Sequence, residues 1–178
     1  MPQTFTPTTV TQESDNPTEE IGWTSSFTAN QGYLLNSRWR TVADLTHLSN
    51  PAMGDMRTRT QKLVCTNFQM SNLPDTISGI QLELKTQRNG RIVDQQIQLT
   101  YQGQELGKNN FIYLTDIEGH LPITNDTYYG GPADLWDCEL TPNMLLDPSF
   151  GVILKFQSHP YYPHRQTMYL DSVKLTVY

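Results

Sequence analysis

The chain has 178 residues, a formal net charge of −6 and a pI near 5.1; 37% of it is apolar and 17% charged. That length suits one sizeable core, and sparse charge with plentiful Thr, Gln, Asn, Gly and Pro excludes a helical bundle in favour of a polar-surfaced all-β protein. The acidic balance argues against a nucleic-acid partner, because the one basic concentration, Arg38, Arg40, Arg57 and Arg59, is interrupted; with no run of eighteen apolar residues and no basic-then-apolar leader, neither membrane span nor signal peptide is expected.

From Met1 to about Glu20 the sequence is rich in Thr, Pro and acids, with Phe5 and Val10 isolated. Such a stretch buries too little apolar area to fold alone. It reads as an extended N-terminal arm, either a disordered tail or a segment that orders on a neighbouring subunit through Phe5 and Val10. Residues 21–178 read as a single domain.

Between Ile21 and Leu48, Trp23, Phe27, Tyr33, Leu34, Leu35, Trp39, Val42 and Leu45 supply anchors without a helical period, so short strands and turns are expected. After breakers at Pro51 and Gly54, Arg57 to Met70 alternates into a strand with Leu63, Cys65 and Phe68 inward. Ile80, Leu82 and Leu84 share one parity and Gln81, Glu83 and Lys85 the other, which marks a half-buried strand. Asn89-Gly90 then suits a type I′ hairpin turn, with Val93, Ile97, Leu99 and Tyr101 on the inner parity of the return strand. Gln102-Gly103 is a second hairpin candidate, and Phe111, Tyr113 and Leu114 mark another short strand.

Thr141-Pro142 opens a single helical turn, with Thr as cap and Pro at the first helical position, closed by Asp147-Pro148. Val152, Leu154 and Phe156 define one strand. Tyr169, Val173, Leu175 and Val177 define the last, with Asp171, Lys174 and Thr176 outside. So many short strands separated by turns specify an antiparallel two-sheet β-sandwich of jelly-roll type.

Four places carry residues with possible chemistry. Asp126 to Trp136 sets large rings on both sides of Gly130-Gly131-Pro132. This is either a saccharide platform, stacking on its rings and binding through Asp126 or Asp134, or a structural corner with Leu135 and Trp136 buried; the corner is the expectation. His159 to Arg165 is a Pro-broken aromatic loop whose Tyr161, Tyr162, His164 and Arg165 suit a protein contact; with His120 elsewhere, its histidines lack the spacing of a metal site. Asp126, Asp134, Asp137 and Asp147 lack the alternation of a calcium loop. Cys65 and Cys138 are expected as free thiols. No nucleophile elbow, phosphate loop or Cys-His signature occurs, so neither catalytic residue nor cofactor is expected.

Four stretches, in order, resemble a β-sandwich module of tailed-bacteriophage and prophage virion structural proteins. They are Leu73-Pro74-Asp75-Thr76-Ile77-Ser78-Gly79-Ile80-Gln81-Leu82-Glu83-Leu84; Arg91 to Gly103; Tyr129-Gly130-Gly131-Pro132-Ala133-Asp134-Leu135-Trp136; and Ser149-Phe150-Gly151-Val152 with Asp171-Ser172-Val173-Lys174-Leu175-Thr176-Val177-Tyr178. The third is similar to the module's Tyr-Gly-Gly-x-x-Asp-Leu-Trp pattern, in which Tyr129, Gly130, Gly131, Asp134, Leu135 and Trp136 are the matching residues. The chain departs from it in having Asp137-Cys138 where Gly often follows the Trp, and an aromatic rather than Ser- and Gly-rich penultimate loop.

The resemblance implies a non-enzymatic virion building block, made in the host cytoplasm and located in the virion. Its partners would be the major capsid protein or other virion proteins and further copies of itself, a trimer being favoured. A capsid cement or decoration role is the first expectation. A tail, baseplate or fibre component and a host-glycan-binding module are the alternatives.

Overall fold

The computed structural model describes residues 1–15, 20–25, 41–44, 59–89, 92–112, 123–158 and 167–178. In chain order the strands are β1 (Gln3–Phe5), β2 (Thr9–Glu13), β3 (Glu20–Ile21), β4 (Thr24–Ser25), β5 (Thr41–Asp44), β6 (Arg59–Thr60), β7 (Lys62–Thr66), β8 (Ile80–Asn89), β9 (Ile92–Tyr101), β10 (Gln104–Leu106), β11 (Ile123–Gly130), β12 (Gly151–Ser158) and β13 (Thr167–Val177), with one helix, α1 (Pro142–Leu146). They form an antiparallel two-sheet β-sandwich. One sheet runs β11-β8-β13-β5-β4, with β1 also on β13; the other runs β10-β9-β12, where β12 pairs with β7 and β6, flanked by β2 and β3. Only the two-residue β3–β6 ladder is parallel among the described pairs.

The core lies between the sheets and follows the two-residue period. Ile80, Leu82 and Leu84 of β8 and their neighbours Val173, Leu175 and Val177 of β13 face Ile97 and Leu99 of β9 and Val152, Leu154 and Phe156 of β12 in the other sheet, all inside one apolar cluster. Each such side chain withdrawn from water contributes about 1.5–3 kcal/mol before chain entropy is charged against it. Trp23 closes one flank, its ring edge-on to Phe156 at 5.9 Å and its indole N–H donating to the Gln61 carbonyl at 3.0 Å.

Turn chemistry places one hairpin as expected and not the other. Gln102 and Gly103 both have positive φ, 52° and 75°, and join β9 to β10 with Tyr101 opposite Gln104, the geometry of a two-residue primed turn. Asn89-Gly90, expected to join a hairpin, does not: β8 pairs with β11 and β13, whereas β9 pairs with β10 and β12. β8 and β9 therefore lie in different sheets, β8 between β11 and β13 and β9 along β12. The strand expected around Phe111 is not formed at Phe111 and Ile112; Tyr113 and Leu114 lie outside the described residues.

Two bulges shift the parity read from the sequence. Lys155 opposes Gln96 but Phe156 opposes Asp94, so Gln95 is the extra residue; upstream of it Ile92 and Asp94 turn inward, and Val93, expected inward, is buried but on the other face, beside Gln157. In β13 the register steps between Leu170 and Ser172, which turns Leu170 into the core and leaves Tyr169 on the outer row, half-buried. A single unpaired residue reverses every side chain beyond it.

The N-terminal arm is extended, as expected, but lies on its own sandwich. β1 pairs with β13 and β2 with β7, so the first 13 residues touch both sheets. Backbone pairing does not depend on apolar side chains, which is why a Thr- and Gln-rich stretch can take a sheet edge. The single helical turn is formed as expected. Thr141 Oγ1 accepts from the Met144 N–H at 3.3 Å, Pro142 is the first helical residue, and the Asp147 N–H closes the end on the Met144 carbonyl.

Candidate functional site

The Tyr128 to Trp136 stretch is a corner packed into the sandwich. Gly130 has φ 71°, and a Cβ there would meet the Ile80 carbonyl oxygen at 2.4 Å and the Trp136 Nε1 at 2.5 Å, so both conformation and space demand glycine. The Ile80 carbonyl accepts from the Trp136 indole N–H and the Gly131 N–H, each at 3.0 Å, and the Ile80 N–H donates to the Asp134 carbonyl at 3.0 Å. Trp136 is fully buried, with φ 58°; its backbone N–H donates to Asp134 Oδ1 at 2.7 Å. That carboxylate also pairs with Lys108 Nζ at 3.2 Å, and the pairing holds the Lys108 amine above its ordinary pKa.

Neither the Tyr129 nor the Trp136 ring offers a face to a ligand. Leu135, expected to be buried, is instead exposed, because the left-handed Trp136 and Asp137 pair turns only the indole inward. Tyr128, on the outward parity of β11 opposite Glu83, is 50% exposed.

The same corner reaches a buried polar cluster that the sequence reading missed. Arg88, on the inner parity of β8, and Asp94, turned inward by the bulge in β9, bridge the two sheets at 2.8 Å, their side chains 4% and 0% exposed. Arg88 Nη1 donates to the Ile92 carbonyl at 3.2 Å, and the guanidinium carbon lies 5.4 Å from the Phe156 ring centre. The second Asp94 oxygen accepts from the Tyr129 hydroxyl at 2.7 Å and from the Ile112 N–H at 3.2 Å. Burial first, and the Asp94 charge next, push the Tyr129 phenol far up, so it stays a donor throughout the working pH range. With its oxygens so engaged, the cluster acts as a cross-link between sheets.

A second charged cluster fixes the end of the N-terminal segment. Lys155, buried on the outer parity of β12, pairs with Asp15 at 2.9 Å and with Glu20. Glu20 Oε2 also accepts from the Ser14 hydroxyl and the Asp15 N–H, both at 2.9 Å. Lys62 bridges Asp15 at 3.1 Å and Glu105 at 3.3 Å. The hydrogen bond from Lys155 outweighs desolvation and lowers the Asp15 pKa; for Lys62 burial disfavours the charge, but its two acidic partners outweigh that and raise it.

Of the proposed contact residues, two are among the described residues. Phe5 and Val10 are half-buried and pack against the chain's own core. Tyr161, Tyr162, His164 and Arg165 lie outside the described residues; the strand ends that bracket them, Ser158 and Thr167, pair with Ile92 and Asn89.

Asp134 and Asp137 meet at Lys108 beside a shallow open depression, whereas Asp147 bonds the Ser149 hydroxyl and N–H and Asp126 is exposed on β11 opposite Lys85. Among the described residues no three His, Cys, Asp or Glu side chains converge as a metal site. Cys65 and Cys138 are free, and burial pushes both thiols up, which makes them poor nucleophiles.

No protein-family model matches the chain, and no curated protein matches it. Among solved structures, a chain described as "CBM4 structure and function" aligns with a TM-score of 0.40 and 11% identity, over 92% of this chain and 98% of that one.

Proposed function

We propose that the chain is a non-enzymatic structural protein of a tailed-phage virion, and within that class a capsid decoration protein that clamps neighbouring shell subunits. The observation that supports this reading is how the phage-like motif is used. Tyr129, Gly130 and Trp136 are consumed in building the corner, with the indole on the Ile80 carbonyl and the phenol on Asp94. The other resembling stretches supply β8, β9, β12 and β13. The likeness is therefore one of scaffold, and function falls to surface contacts.

The exposed large apolar side chains open to a shell partner among the described residues include Tyr128, Leu146, Phe111 and Ile112. Clamping works by mass action: area buried across adjacent subunits favours the assembled state. Antibody labelling of purified particles, followed by cryo-EM, tests the reading. Density for the sandwich over the shell is expected; density on the tail transfers the protein to a tail, baseplate or fibre role, and its absence from particles overturns the virion reading.

A further inference from the structure

The attachment of residues 1–15 differs from that of the rest of the sandwich. β1 holds Leu175–Val177 of β13 and β2 holds Lys62–Thr66 of β7. Side-chain contacts add Gln3 Nε2 to the Asn72 carbonyl at 2.6 Å, Thr4 to Thr176 at 2.9 Å, Thr8 to the Asn67 carbonyl at 2.8 Å and Gln12 to the Trp23 carbonyl at 2.8 Å. Only Pro7 is buried, with Phe5 and Val10 half-buried; most of the segment faces water. The segment is held mainly by hydrogen bonds and by the pairing of Asp15 with Lys155 and Lys62.

Three consequences follow from that mode of attachment. A detached segment of Thr, Gln and Glu is soluble and exposes little apolar area. The edges it leaves are not: β7 and β13 carry the core residues Leu63, Cys65, Leu175 and Val177, and their unpaired backbone groups demand another strand. The partner that fits both edges at once, in register and with the carboxylate for Lys62 and Lys155, is the same segment of a second copy.

We propose that residues 1–15 exchange between copies of this chain, so that β1 and β2 of one molecule complete the sheets of another through ladders identical to those made within one molecule. The inference stands apart from the virion reading, since it needs only two copies of the chain.

Lys62 Nζ lies 3.1 Å from Asp15 Oδ1, within reach of a zero-length carbodiimide cross-link, so no substitution is needed to test it. Chains uniformly labelled with heavy nitrogen are mixed in equal amount with unlabelled chains, unfolded together, refolded at high protein concentration, cross-linked, digested and read by mass spectrometry. A peptide pair joining residue 15 to residue 62 forms whether the contact is internal or exchanged. Exchange makes about half of those pairs isotopically mixed, the random-pairing value for full swapping. Pairs of a single isotope alone, whether the sample runs as monomer or oligomer, overturn the proposal.

Discussion

Replacing Asp94 with Ala tests whether the two sheets are pinned by the buried cluster. The substitution leaves the Arg88 guanidinium charged with its side chain 4% exposed, and strands the Tyr129 hydroxyl, whose acceptor lay at 2.7 Å. Removing one partner of a buried ion pair costs about 3–5 kcal/mol, and an unsatisfied buried hydroxyl adds about 1–3 kcal/mol. Part of this is recovered as the site relaxes and water enters, so a loss of about 3–5 kcal/mol is expected for the whole change. For a domain of 178 residues each kcal/mol moves Tm by about 2–4 °C, which gives a drop of roughly 6–20 °C.

Urea unfolding followed by fluorescence and circular dichroism measures the loss directly, with a thermal scan beside it. The triple replacement Arg88→Met, Asp94→Leu and Tyr129→Phe removes every charge and hydroxyl of the cluster together, and is expected to recover most of the stability lost in Asp94→Ala. An Asp94→Ala protein within about 1 kcal/mol of the parent would show that Arg88 finds another anion or reaches water, and the cross-link account would fail.

The corner and the charged cluster give two further expectations. Gly130→Ala should destabilise far more than Gly103→Ala: both positions have positive φ, but an added Cβ meets backbone oxygen at Gly130 and nothing within 4 Å at Gly103, where only the left-handed strain of about 1–2 kcal/mol applies; equal losses in denaturant titrations would refute the steric argument. Asp15 and Glu105 are held below their ordinary values of 3.8 and 4.5, chiefly by hydrogen bonds from Lys155 and Gln96 respectively. Their contribution is complete above the unfolded values and is lost as pH falls through the lowered ones, so stability should decline on the acid side of pH 4.5, and less steeply in high salt because both carboxylates are half exposed. A flat acid profile would remove these pairs from the account.

What the sequence made legible was whatever repeats locally. Ile80, Leu82, Leu84 and Val152, Leu154, Phe156 announce their strands because a period of two is a property of neighbours, and Thr141-Pro142 announces its helix because a cap and its first turn are adjacent. Asn89-Gly90 misled because turn chemistry reports local backbone shape, whereas pairing is decided by strands far along the chain. The N-terminal residues read as a disordered tail or an arm for a neighbouring subunit, not as strands of their own sandwich, because hydropathy is silent about backbone ladders. Arg88 did carry a signal, a charged residue on the inner parity of Ile80, Leu82 and Leu84; Asp94 carried none, because the bulge at Gln95 hides its direction.

That bulge makes the interior depend on strand register as well as on composition. A ladder that paired Gln95 instead of bulging it would remove no core side chain and no charge, yet it would put residues 92–94 back in phase with Ile97 and Leu99, whereas deleting Gln95 would leave Asp94 opposite Phe156. Val93 would then face the opposite sheet and Asp94 the outer row, orphaning Arg88 and Tyr129 in one step. In this protein a single unpaired residue sets the reading frame of the interior, and flattening the strand there would do more harm than many substitutions within the core itself.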